Sequence, residues 1–285
     1  GWGTCQPPDE ACDGLDNDCD GQVDEAFKND AGAYAQLAHC GGCGISCLAL
    51  SFSNAAPVCD TTGAVPQCGY GCQGDWVDVD AGSDNGCECL PIAGPDYPDA
   101  GGVDSDCDGI DGEIGAGIFV SKAGHDAAAG TIDAPKRTLQ AGINLAESAG
   151  KRDVYVATGV YVESIVLADG IGVYGGYAGD FGVRDAVAYE TAILGIVPTT
   201  ALPGAVNAFG VGFGGDVTAL DGFSVFGEDA ILPGTSSYAI YLANVGPGLS
   251  VTHNVVVAGD GADGDDGTPG TSGTPGEDGI DGAAG

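Results

Sequence analysis

Hydrophobic patterning divides the chain near Ile118. Before that point apolar residues are scattered, with neither a helical nor a strand period. After it come short β-branched and aromatic runs: Ile118–Ser121, Val154–Val156, Ser164–Leu167, Ile171–Tyr174, Ala192–Leu194, Phe223–Phe226, Ala239–Leu242 and Val251–Val257. Gly, Asp and Asn punctuate them, without the dipeptides that mark tight hairpins. Such spacing predicts a β-sandwich or a parallel β-helix. One segment has a helical period: Leu139, Ile143 and Ala146 share a face, with Thr138 as N-cap and Gly150 as stop. From Gly261 to Gly285 every third residue is glycine, with Pro269 and Pro275 in the third place of their triplets. That is the collagen signature; it reads equally as a glycine-rich loop between β-helix coils.

Charge and cysteine sharpen this division. The 285 residues carry 42 Asp and Glu against 7 Lys and Arg, a formal charge of −35. Such a chain repels nucleic acid, anionic membranes and acidic polysaccharides, and attracts cations. Residues 1–114 hold 22 of the acids and one base, Lys28. All 12 cysteines lie between Cys5 and Cys107. An even number confined to one segment predicts a disulfide framework and an oxidising compartment. Cys40-x-x-Cys43 has half a zinc spacing, but no matching second pair follows, so disulfides are expected. Cys12–Cys19 is a candidate short staple. No apolar run reaches membrane-spanning length. The chain has no Met, so it is expected to be a mature or trimmed product.

Two acidic runs carry the candidate chemistry. Residues 16–25 and 104–113 agree at six of ten places: three alternating Asp, a Cys, a Gly and a final Glu. Carboxylates at positions one, three and five of a tight loop converge on one point. Gly at six permits the turn, and the carbonyl of residue seven adds an oxygen. The predicted ligands are Asp16, Asp18, Asp20, Gln22, Asp24 and Glu25 in the first loop. In the second they are Asp104, Asp106, Asp108, Ile110 and Glu113. Gln22 and Ile110 serve through their carbonyls, and Glu25 and Glu113 as closing carboxylates, because Phe27 and Gly115 stand at position twelve and cannot ligate. Hard oxygens at flexible distances suit Ca²⁺. The bland alternative is a solvated acidic turn, and repetition of the pattern with its Cys weakens it. Asp75, Asp78, Asp80 and Asp84 read equally as a third cation site or an acidic loop.

The run Cys12-Asp13-Gly14-Leu15-Asp16-Asn17-Asp18-Cys19-Asp20-Gly21, with Asp24 and Glu25, resembles the metal-binding-motif repeat of secreted myxobacterial proteins, the MopE-like group. The cysteines from Cys40 to Cys89 are similar to the small modules that accompany this repeat. The group's name points to copper. Oxygen-only sites are poor copper sites, and His39, His125 and His253 are far apart, so calcium is the expected ion. Gly130–Ile143, Asp153–Glu163 and Ile171–Tyr177 resemble the opening of right-handed β-helices of the pectin-lyase-like class. That resemblance covers about residues 118–260 and implies that the helix plugs the open N-terminal end of the first coil. It speaks for the fold and not for activity. Lyases of that class use Arg or Lys, and no Lys or Arg follows Arg184. Paired carboxylates such as Asp216 with Asp221 remain as a hydrolytic option.

The expectation is therefore a mainly β chain in five segments. Residues 1–27 form an acidic calcium motif, 28–99 a Cys-rich module, 100–117 a second calcium motif and linker, 118–260 a right-handed parallel β-helix, and 261–285 a glycine-triplet segment. The expected role is an extracellular, calcium-binding structural or adhesive surface protein that forms homo-oligomers or filaments. It is not expected to be an enzyme, bind nucleic acid or insert in membranes. The rival is a secreted β-helix that binds or degrades polysaccharide.

Overall fold

The computed structural model describes residues 9–82, 84–197, 199, 201–277, 279 and 282. As far as Glu113, regular structure among the described residues is sparse. One antiparallel ribbon pairs β1 (Ala35–Gln36) with β2 (His39–Cys40), and another pairs β3 (Ala55–Asp60) with β4 (Gln67–Cys72). Five disulfides hold this region: Cys12–Cys43, Cys40–Cys59, Cys47–Cys68, Cys72–Cys87 and Cys89–Cys107. Cys19 is disulfide-bonded as well, and Cys5 lies outside the described residues. The Cys12–Cys19 staple is thus not formed. Asp24 pins the backbone of Asp13 and Gly14, and Cys12 is committed to Cys43 beside β2. The zinc half-site disappears too, since Cys40 and Cys43 belong to different bridges. The bridged residues are 15 to 31 positions apart. Each closure removes about 3 kcal/mol of unfolded-chain entropy in the loop model. A segment with so little core depends on that.

The remainder is a parallel β-helix of about four turns. β5 (Gly117–Val120), β6 (Asp153–Ala157), β9 (Gly172–Tyr177), β12 (Thr218–Asp221) and β15 (Leu249–Thr252) form one sheet. A second contains β7 (Gly159–Val162), β10 (Thr191–Leu194), β13 (Ser224–Phe226) and β16 (Val255–Val257). The third contains β8 (Ile165–Val166), β11 (Gly204–Phe209) and β14 (Tyr238–Ala243). From β6 onward the chain visits the three sheets in turn, so like residues stack coil upon coil. Ile118, Val154, Val173 and Leu220 make one buried column, and Tyr161, Ile193 and Val225 another.

Helix α1 (Leu139–Ala149) closes the first coil. Thr138 Oγ1 accepts the Ala141 N–H, and Gly150 stops the helix in the left-handed region at φ 64°. Leu139, Gly142, Ile143 and Ala146 are buried. A Cβ on Gly142 would stand 2.5 Å from Val120 Cγ2, so the helix rests directly on the first rungs.

The outer face of the first sheet is also covered. Phe119, Tyr155, Tyr174, Tyr177 and Phe181 form a second core, into which Ile110 of the second acidic loop inserts. Beyond Val257 the described residues run without strand or helix. The triplet positions 278, 280, 281 and 283–285 lie outside the described residues.

Candidate metal centre

The two acidic runs fold into the same turn. At position four Cys19 and Cys107 are left-handed, with φ 62° and 63°, and at position six Gly21 and Gly109 have φ 93° and 103°. The first Asp accepts the N–H of position six in both: Gly21 to Asp16 at 3.1 Å, Gly109 to Asp104 at 2.9 Å. The third position accepts from the fifth, Asp18 at 3.1 Å and Asp106 at 3.2 Å. The fifth accepts from the seventh, Asp20 at 2.8 Å and Asp108 at 3.3 Å. Asp16, Asp18 and Asp106 spend one oxygen on the local turn. Asp20, Asp104 and Asp108 spend both, Asp20 on Gln22, Asp104 on Asp108 and Gly109, and Asp108 on Ile110 and Ile114. Carboxylates held in this way are gathered rather than splayed, although their charges repel.

In the first loop, one oxygen from each of Asp16, Asp18 and Asp20 lies within 4.8 Å of the others, and so do oxygens of Glu10, Asp18 and Glu25. Asp16 Oδ1 and Glu25 Oε2 are buried and accept no hydrogen bond. Glu25 is held above the ordinary carboxylate range. Its own backbone N–H pulls it down, but burial and the charges of Asp20, Glu10 and Asp18 outweigh that. Orphaned oxygens among like charges fit a hard cation, because it supplies the missing partner and cancels the repulsion.

Asp24 is placed elsewhere. It is fully buried and accepts from Asp13 N–H, Gly14 N–H and the Tyr34 hydroxyl. Tyr34 first, and then the backbone donors, hold it below the ordinary range against the effect of burial. The same pairing pushes the Tyr34 hydroxyl up to about 12. Asp24 anchors the loop to the β1–β2 ribbon.

In the second loop, Asp106 is pushed up to about 6, first by burial and then by Asp108, with Asp96 and Asp104 adding their charges. Four carboxylates therefore share one locality. Ile110 donates its N–H to Asp108 while its side chain is buried in the aromatic core. Glu113 turns toward the solenoid, 3.8 Å from Arg152. Position nine, Asp24 in the first loop, is Gly112 here; the buried carboxylate of this loop is its neighbour Asp111, which accepts the Asp99 N–H and faces Arg184 at 3.5 Å.

Sequence reasoning missed Glu10 and Asp96. Glu10 accepts the N–H groups of Asn17 and Asp24, positions two and nine of its loop. Asp96 accepts those of Ser105 and Gly112, the same two positions of the other loop. The matching roles mark them as one structural part. Of the suggested third site, oxygens of Asp78 and Asp80 gather with Glu88.

The histidines are dispersed among local partners. Gly44 donates to His39 Nδ1, Ala127 donates to His125 Nδ1, and His253 Nδ1 lies 2.6 Å from Asp221. Asp221 also accepts from Arg184 and from Thr252, and lines a cleft of about 240 Å³ with Asp99, Arg184 and His253. Asp216 lines another cleft with Glu147 and Asp169, so Asp216 and Asp221 do not face one space. No helix among the described residues is long and apolar enough to cross a membrane.

No protein-family model, curated protein or solved structure matches the chain significantly.

Proposed function

We propose that each acidic loop holds one Ca²⁺ and that the chain is a secreted, cation-stiffened structural or adhesive module of a cell surface. The observation that carries this reading is the pair of orphaned oxygens, Asp16 Oδ1 and Glu25 Oε2, inside a loop whose backbone geometry is repeated 88 residues later. In the first loop Asp16, Asp18, Asp20, Glu25 and Glu10 would hold the ion. In the second Asp104, Asp106, Asp108 and Asp96 would do so. The ion supplies charge neutralisation and oxygen bridging; the chain supplies a turn already folded by its own hydrogen bonds. Disulfides and a rigid solenoid fit an extracellular role, and self-association is part of the reading.

Metal analysis of the native protein should find about two calcium ions per chain. A saturating ion stabilises the fold by about 3 kcal/mol per site at a hundredfold excess over its Kd. Chelation should therefore lower the melting midpoint and expose the region before Glu113 to protease. An unchanged midpoint and digestion pattern would discard the calcium reading.

The cleft holding Asp221 and His253 favours a second reading, a site for a neutral polysaccharide or other surface ligand. Glycan binding that Asp221→Asn and His253→Gln both leave intact would remove it.

A further inference from the structure

A groove of about 430 Å³ opens beside the second acidic loop, within the disulfide-bonded region. Its large apolar side chains are Trp76, Val79, Leu90, Ile92 and Val103. Leu90, Ile92 and Val103 are 48%, 64% and 48% exposed. The walls are fixed by short-range ties. Val77 exchanges backbone hydrogen bonds with Cys89, Ile92 donates its N–H to the Ser105 carbonyl, and Cys89 is bridged to Cys107. A Cβ on Gly109 would stand 3.7 Å from Val79 Cγ1, so the turn of the acidic loop packs against this wall. Aliphatic side chains gathered on a concave, braced surface mark a binding site, unlike single apolar residues scattered over a surface.

The acids around the groove identify its occupant. Residues 75–88 contain Asp75, Asp78, Asp80, Asp84 and Glu88 and no base. Oxygens of Asp78, Asp80 and Glu88 lie within 4.8 Å of one another, and Glu88 lines the groove itself. Two further lining acids are already engaged: Asp111 faces the buried Arg184 at 3.5 Å, and Asp104 is a proposed calcium ligand. Glu88 and its neighbours therefore set free negative charge beside the apolar wall. A lysine or arginine suits both parts. Its stem packs on aliphatic side chains, its head reaches the carboxylates, and the indole of Trp76 attracts a cation.

We infer that this groove docks a segment of another protein in which lysine or arginine stands next to large apolar side chains. The inference goes beyond the calcium reading. It stands on Trp76, Leu90, Ile92, Val103 and Glu88, none of which is a proposed calcium ligand. A bare divalent cation would engage the carboxylates and leave the apolar wall in water. A second copy of this chain, at −35, brings its own excess of acid to the rim and is repelled there.

Calorimetric titration of the whole chain, with calcium present, against a short peptide alternating lysine with leucine tests this. The peptide should bind, and more weakly as salt rises, because part of the attraction is screened. Serine in place of leucine keeps the peptide's charge, and glutamate in place of lysine keeps its apolar side chains. Each altered peptide should bind about tenfold more weakly or worse. Ile92→Ser removes part of the wall and Glu88→Lys reverses the rim charge. Each should weaken the lysine–leucine peptide about tenfold, with the circular dichroism unchanged because both positions are exposed. Hydrogen exchange on the unaltered protein gives a check without variants: amides of Leu90, Ile92 and Val103 should slow when the peptide is added. No binding, equal binding of either altered peptide, full affinity in either variant, or exchange that the peptide leaves unchanged would each overturn the proposal. Metal content and the chelator-sensitive melt report separately on the acidic loops, so loss of the groove leaves the calcium reading standing.

Discussion

Asp153 is buried at the edge of the aromatic core with Arg152 2.7 Å away. Burial outweighs that pairing and pushes its carboxyl from 3.8 up to about 6. The folded state therefore holds the proton more tightly than the unfolded chain. Stability linked to Asp153 is complete below about pH 3.8 and is lost as pH rises through about 6. A shift of about two units corresponds to about 3 kcal/mol. Urea titrations should show the native protein losing stability across that window relative to Asp153→Asn; parallel curves would sink the assignment. Among the proposed ligands, Glu25 has an orphaned oxygen inside its loop, whereas Glu113 leans toward Arg152. Calorimetric titration should find that Glu25→Gln weakens calcium binding to the first loop by about tenfold or more, and that Glu113→Gln costs the second loop less. The alternating Asp residues were legible in sequence because a tight turn fixes their spacing. Glu10 and Asp96 were not, because they stand six and eight residues ahead of the first Asp of the loop and reach it only through the fold.

Among the elements, those built from β-branched or aromatic runs were readable, and so was α1 with its cap and stop. In the solenoid β7, β11 and β12 were not among the predicted runs. β11 carries a buried Asn207, whose amide binds the carbonyls of Ile165 and Gly204 and so stitches two coils together. A buried amide breaks the apolar run that announces a strand. β12 ends in Asp221, which the sequence presents as a surface acid and the fold buries against Arg184. The expected run Val251–Val257 is split into β15 and β16 at His253, where φ is 52°. His253 lies at the same corner of the coil as Gly222, one rung on. Gly222 has φ 79°, and a Cβ there would stand 3.0 Å from both Arg184 Nη2 and the Gly175 carbonyl. Gly222→Ala should therefore cost about 2 kcal/mol, from left-handed strain and displacement of the guanidinium. A midpoint equal to that of the native protein would show that the corner relaxes freely.

At the level of the whole molecule, the acidic N-terminal region and the solenoid are joined through Arg184. Its guanidinium donates to the Gly175 carbonyl and to Asp221 on the solenoid side. On the other side it donates to the Asp99 carbonyl and faces Asp111. Tyr177 reinforces the joint by donating to the Asp111 carbonyl, and Ile110 packs beside it. None of this was legible in sequence, because its partners lie as far as 85 residues apart. Arg184 read there only as the last base of the chain. Arg184→Met keeps much of the apolar stem but leaves Asp111 and Asp221 as buried carboxylates without their cation, a change worth about 3–5 kcal/mol. Both tryptophans, Trp2 and Trp76, precede the solenoid, so fluorescence follows the N-terminal region while far-UV circular dichroism follows mainly the β-helix. In the native protein the two signals should change together on denaturation, since the second acidic loop supplies part of the core that covers the first sheet. In Arg184→Met the fluorescence transition should come first, at lower denaturant, with the β signal following. If the variant unfolds with both signals coincident and its midpoint unmoved, the coupling runs through Ile110 and the aromatic core instead of through the buried charges.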